Sequence, residues 1–190
     1  MSQIEKWNEQ YRSNRRSWRG NARIPIPIQS GKALDLGCGN GKTVSTLLDS
    51  NLDVTGVDFS SEAVSSCRTL FGDKAEFIES DVTELPFPDG TFDYVTAVHI
   101  LEHIENSDMP TVSGEIERVL RPEGHLFIRS FAPGDLRESK RTDGIRYVHR
   151  TPDEILAFFP DLKVISSESV QERTRFGATR CRSECLFRKE

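Results

Sequence analysis

The residues best suited to chemistry stand where apolar runs end. Asp35 lies in Lys32-Ala33-Leu34-Asp35-Leu36, and Gly37, Gly39 and Gly41 then alternate with Cys38 and Asn40. A second acid, Asp58, closes Asp53-Val54-Thr55-Gly56-Val57-Asp58, and a third, Asp81, follows Ala75-Glu76-Phe77-Ile78-Glu79. Glycines after a buried strand bring bare backbone N–H groups to the rim of a sheet, where open α/β sheets bind ligands. The missing side chains permit close approach. A carboxylate placed like Asp58 can accept both hydroxyls of a ribose, as in dinucleotide sites about 20 residues past their glycines. Further on, His99, Tyr147 and His149 are the groups able to take a proton. Arg129, Arg137, Arg141, Arg146 and Arg150 are suited to clamping a carboxylate or phosphate.

Spacing separates the ligands that such a turn can serve. A phosphate loop G-x-x-x-x-G-K-[ST] ending at Gly41-Lys42-Thr43 needs its first glycine at position 36, which is Leu36. A dinucleotide turn G-x-G-x-x-G fails from Gly37, where the sixth residue is Lys42, and from Gly39, where it is Val44. The pattern that remains is D-x-G-x-G-x-G, Asp35 to Gly41. His99 and His103 share a helical spacing, but the zinc motif H-E-x-x-H needs Glu where Ile100 stands. Cys181 and Cys185 have no neighbouring Cys or His pair, so no metal is expected.

With that acid-and-glycine pattern the chain resembles the class I S-adenosylmethionine-dependent methyltransferases. The resemblance implies S-adenosylmethionine as cofactor, with Asp35 near its amino group and Gly37, Cys38, Gly39 and Gly41 against its methionine part. A cationic amine suits a carboxylate there, whereas a pyrophosphate would be repelled by it. The resemblance further implies Asp58 on the ribose, Phe59 beside the adenine, Asp81 on the adenine amino group and the Val82 N–H on a ring nitrogen. Val98-His99-Ile100-Leu101-Glu102-His103-Ile104 resembles the segment after strand four, whose first residues flank the methionine part, so Val98 is expected on the cofactor and His99 facing the reaction centre. Pro86-Phe87-Pro88-Asp89-Gly90-Thr91-Phe92-Asp93 also matches a common family signature. The likeness covers Lys32 to Glu190, and residues 1–23 and 132–150 lie outside it.

The elements that must hold these residues follow from periodicity. Strands are expected at about 32–36, 53–58, 75–79, 92–98 and 125–128, with helices after Gly41 and Ser60 and over Met109–Leu120. Arg121-Pro122-Glu123-Gly124 is expected to stop that last helix. Thr151-Pro152-Asp153-Glu154 is a helix start, with Thr151 as N-cap. Two late strands follow, at 162–169 and 181–188. This alternation predicts a doubly wound, mostly parallel seven-stranded sheet with an antiparallel last strand. Residues 1–31 are read as a helical arm and connector, 32–190 as the cofactor-binding domain, and 132–150 as a substrate loop.

The 190 residues carry 25 Lys and Arg against 30 Asp and Glu. Residues 1–23 hold six basic against two acidic residues, 24–120 five against seventeen, and 121–190 fourteen against eleven. Basic ends around an acidic middle suggest that the ends meet an anion. No run approaches the roughly 20 apolar residues of a membrane span. The polar N-terminus lacks a signal-peptide core, and four scattered cysteines suit a reducing compartment, so the protein is expected in the cytoplasm. Trp7, Tyr11 and Trp18 fall on one helical face, and Tyr11 or Trp18 is expected against the cofactor's sulfonium. The expected activity is methyl transfer to oxygen or nitrogen on a small anionic molecule. The alternatives are a nucleotide in RNA and a catalytically silent cofactor-binding subunit.

Overall fold

The computed structural model describes residues 2–13, 22–136, 138 and 144–190. The elements in chain order are α1 (Gln3–Ser13), β1 (Lys32–Leu36), α2 (Lys42–Asp49), β2 (Asp53–Asp58), α3 (Ser61–Phe71), β3 (Glu76–Glu79), β4 (Phe92–Val98), α4 (Met109–Val119), β5 (Leu120–Phe131), α5 (Pro152–Leu156), β6 (Lys163–Arg173) and β7 (Thr179–Arg188). Seven strands form one sheet in the order β3-β2-β1-β4-β5-β7-β6. The strands are parallel except β7, which runs against both neighbours.

Side chains alternate across this sheet and build two cores. Leu34, Leu36, Val95, Ala97, Leu126 and Ile128 face α4 and α5 through Met109, Val112, Ile116, Ile155 and Phe159. Ala33, Val54, Tyr94 and Phe127 face α2 and α3 through Val44, Leu47, Val64 and Cys67. Strands buried on both faces need apolar residues at successive positions, which is why β1 and β4 read as continuous runs. The extended connector Ile24–Ile28 packs against the second core, and the Tyr94 hydroxyl fastens it by donating to the Pro25 carbonyl at 2.6 Å.

The fold class is as the sequence predicts, and two stretches differ in their bounds. Strand β5 begins at Leu120, so the breaker Arg121–Gly124 lies within it. Pro122 is tolerated because the register shifts there, from Phe92↔Leu120 to Tyr94↔His125. The late hairpin is longer than its apolar pattern, with β6 reaching Arg173 and β7 starting at Thr179. The N-terminal helix is described from Gln3 to Ser13, and Trp18 lies outside the described residues. Thr151 caps α5 as expected, exchanging hydrogen bonds with Glu154 in a capping box. Among the described residues no helix is long and apolar enough to cross a membrane.

Candidate active site

A cleft of about 1620 Å³ opens at the carboxyl ends of β1, β4 and β5. Its floor is the glycine turn. Gly37 and Gly39 have φ of 64° and 50°, a region most side chains avoid. A Cβ on Gly37 would lie 2.6 Å from Ile100, and one on Gly39 would lie 2.8 Å from the Tyr11 hydroxyl. The backbone therefore approaches its neighbours more closely than any other residue type permits.

Two buried acids underlie this turn. The Asp58 carboxylate accepts from the Gly39 N–H and the Ser60 N–H, each at 2.9 Å. One side chain thus ties the glycine turn to the start of α3. Burial raises the Asp58 carboxyl, and these two N–H donors oppose the rise. Asp35 lies beneath the turn and accepts from the Thr96 hydroxyl at 2.7 Å. Burial, with Asp58 adding to it, pushes the Asp35 carboxyl up to about 7. A cation beside it would restore its charge.

The α1 helix lies over the cleft between α3 and the segment before α5. Asn8 accepts from the Ser60 hydroxyl at 2.6 Å, and Arg12 pairs with Glu62 at 2.9 Å. At its other end, Lys6 donates to the Gly144 carbonyl at 2.6 Å. Tyr11 thereby lies on Gly39, and burial together with Asp58 raises its phenol. Trp7 stacks on Tyr11 and meets His103 edge-on at 4.9 Å.

At the end of β4, His99 holds a left-handed backbone (φ 61°). Its Nδ1 lies 2.9 Å from Glu102 Oε1, and the other carboxylate oxygen accepts from the Ser130 hydroxyl at 3.0 Å. Glu102 is fully buried. Burial alone would raise its carboxyl, but His99 and His103 hold it below the usual carboxylate range. A buried carboxylate at Nδ1 requires a proton there, which leaves Nε2 as the basic nitrogen. The ring packs 4.5 Å from Phe131.

Of the residues singled out from the sequence, Tyr11, Gly37, Cys38, Gly39, Val98, His99 and Tyr147 line the cleft. Asp35 and Asp58 lie buried below the turn, and Gly41 continues it at φ 76° toward Phe71. Phe59 is half-buried beside Asp58. Asp81 is exposed and accepts from the Thr83 N–H and hydroxyl, while Val82 joins the first core. His149 packs on Phe131 with centroids 6.3 Å apart, off the cleft wall.

The arginines depart most from expectation. Arg150 is buried and donates to the carbonyls of Leu101 and Ile104, so it clamps the chain rather than a ligand. Arg129 pairs with Glu184, and Arg146 with Glu105. Arg137 and Arg141 lie outside the described residues. Arg129 still lines the cleft, together with Arg180 and Arg182, which sequence reasoning passed over. Glu102 was legible only as a neighbour of His103, although its place three residues after His99 is the signal of the pair.

Comparison with known proteins decides the family. Residues 34–128 match the model of a methyltransferase domain. The chain belongs to that family. S-adenosylmethionine is its cofactor, and a glycine turn lining the cleft above a buried acid fits that ligand. The domain is 36% identical over 120 residues to a demethylmenaquinone methyltransferase of Beutenbergia cavernae, covering 62% of this chain and 48% of that protein. It is 27% identical to the tRNA N(3)-methylcytidine methyltransferase Mettl2 of Drosophila melanogaster, over 85% of this chain and 57% of that protein. Its fold matches the 1,6-didemethyltoxoflavin-N1-methyltransferase of Burkholderia thailandensis, solved with S-adenosylhomocysteine. The TM-score is 0.77 at 21% identity, covering 98% of this chain and 86% of that one. The chain spans about half the length of the curated relatives it matches.

Proposed function

We propose that this domain methylates an oxygen or nitrogen that carries a proton, on a small anionic molecule, with His99 as the general base. The His99–Glu102–Ser130 chain at the head of the cleft is the observation that carries this reading. S-adenosylmethionine supplies a methyl group on a sulfonium, a leaving group good enough that alignment provides much of the rate. Gly37, Cys38, Gly39 and Gly41 present backbone to its methionine part, with Asp35 below the amine. Asp58 and Phe59 serve the ribose and adenine, and Asp81 and Val82 the adenine edge. Val98 and Tyr11 close the reacting end.

The chain's own chemistry is proton removal. The acceptor's proton passes to His99 Nε2 as the new bond forms, and Glu102 stabilises the imidazolium while holding the ring in place. Glu102 is therefore a positioning residue. Tyr147, on the same wall, orients the acceptor. A nucleotide in RNA is the second reading, supported by likeness to Mettl2 along 85% of the chain.

The test is incubation with labelled S-adenosylmethionine and fractionated cell extract. Label entering small molecules, with S-adenosylhomocysteine released, supports the first reading, and label in RNA supports the second. Cofactor binding without turnover in any fraction would leave a silent binding subunit.

A further inference from the structure

The cleft continues from His99 onto a stretch of sheet that no helix among the described residues covers. Near the sheet centre α2 and α3 cover the face that carries Phe127 and Leu186. Farther along β5 and β7 the same face carries Arg129, Phe131 and Arg182, because Glu184 opposes Arg129 and Arg182 opposes Phe131 on the ladder. Arg180 follows two residues on, and two residues return a strand to the same face. These four side chains line the cleft.

Charge on this wall is nearly balanced. Arg129 pairs with Glu184 at 2.7 Å, and Arg182 with Glu172 at 3.1 Å. Among the described residues no carboxylate pairs with Arg180, and its Nε is buried with no hydrogen-bond partner. The Arg182 Nε is in the same position. Buried N–H donors are almost always satisfied in folded proteins, so this wall offers donors for an acceptor that the described residues do not supply. Next to them stands an aromatic surface: Phe131, with His99 at 4.5 Å and Tyr147 at 6.0 Å between ring centroids. Arg180 lies about 7 Å beyond the Phe131–Arg182 pair along the strand. That advance is close to the length of one aromatic ring.

We propose that Arg180, backed by Arg182, binds the carboxylate of an aromatic acid and presses its ring on Phe131. The acid's hydroxyl or amine is thereby presented to His99. The inference rests on the methyltransferase reading above and names its acceptor class. One uncompensated guanidinium flanked by Glu172 suits a single carboxylate. A nucleic-acid backbone would bring several phosphates to a wall whose other arginines are already neutralised.

The test uses the full chain saturated with S-adenosylhomocysteine, titrated with 4-hydroxybenzoate, 4-hydroxycinnamate, the corresponding amides and a 12-nucleotide RNA. At least one acid should bind at least tenfold more tightly than its amide. Arg180→Ala should lose that margin, with the thermal midpoint and S-adenosylhomocysteine affinity unchanged, and Arg180→Lys should keep part of it. Equal binding of acid and amide, an unaltered acid affinity in Arg180→Ala, or RNA binding more tightly than both acids would each overturn the proposal while the cofactor reading stands. Failure of S-adenosylhomocysteine itself to bind would overturn both.

Discussion

The two ends of the sheet are built on opposite terms. Strands β2, β1 and β4 are buried on both faces and end in a turn fixed by backbone hydrogen bonds to Asp58. At the other end β6 is exposed along nearly its whole length, and β7 buries only alternate residues. The first end has one geometry because close packing and short carboxylate contacts leave no other. The second is a polar surface on which side chains can be exchanged at little cost to the fold. A cofactor site needs the first kind of support, and a surface that selects an acceptor can be built on the second.

Breaking the rigid end should have the largest effect. Gly39→Val places a β-branched residue at φ 50° and drives its Cβ toward the Tyr11 hydroxyl. Calorimetry should detect no binding of S-adenosylhomocysteine, while circular dichroism still reports a folded sheet. Normal affinity would mean that the turn is not the cofactor's seat.

Next in size is the junction between the two ends, where His99 stands. His99→Asn keeps a residue type that tolerates the left-handed backbone and removes the base. The turnover number should fall about 10²–10⁴-fold, with cofactor affinity unchanged. In Glu102→Gln the fall should be smaller, since an amide still holds the ring at hydrogen-bond distance but no longer stabilises the imidazolium that forms during turnover. An unchanged turnover number would reduce Glu102 to packing.

The same contrast explains what could be read from the sequence. The glycine turn, the buried acids at 35 and 58 beneath it and the alternation of strands with helices are local patterns, so they were legible in order. Arg150 was not, because its partners are carbonyls of Leu101 and Ile104, far away in the chain. The extent of β5 through Pro122 depends on a register shift against β4. The length of the β6–β7 hairpin was hidden because β6 is exposed on both faces and lacks the alternation that marks a strand. Arg180 and Arg182 lie in that hairpin, and so this part of the cleft wall was illegible too.

A moderate effect should come from Asp35. Its carboxyl, ordinarily near 3.8, is raised to about 7 in the fold. Between these pH values the folded state holds a proton that the unfolded state has released. Stability should therefore fall as pH rises from about 4 to about 7. Urea titrations across that window should show this slope in the parent and lose it in Asp35→Asn. Saturating S-adenosylhomocysteine should also flatten it if the ligand's ammonium lies by Asp35. A slope unchanged by the ligand would place the amine elsewhere.

The smallest effect is expected at the open end, and it sharpens the contrast most directly. Val164 and Ile165 are 45% and 49% exposed, and Ile165 falls at the register shift between β6 and β7. Ile128, two strands away, is fully buried. Removing apolar atoms costs stability only where they had left water and where a cavity remains. Ile128→Ala should therefore cost about 2–5 kcal/mol, whereas Val164→Thr and Ile165→Thr should each change stability by less than about 0.5 kcal/mol. The edge itself is guarded by other means, since Lys163, Glu168, Glu172 and Arg173 place charges along it, as exposed edge strands require. Equilibrium unfolding of the three variants side by side is the measurement. A cost at Val164 or Ile165 comparable to that at Ile128 would mean that the hairpin is as closely packed as the glycine-turn end, and the division of the sheet into a rigid half and an exchangeable half would fail.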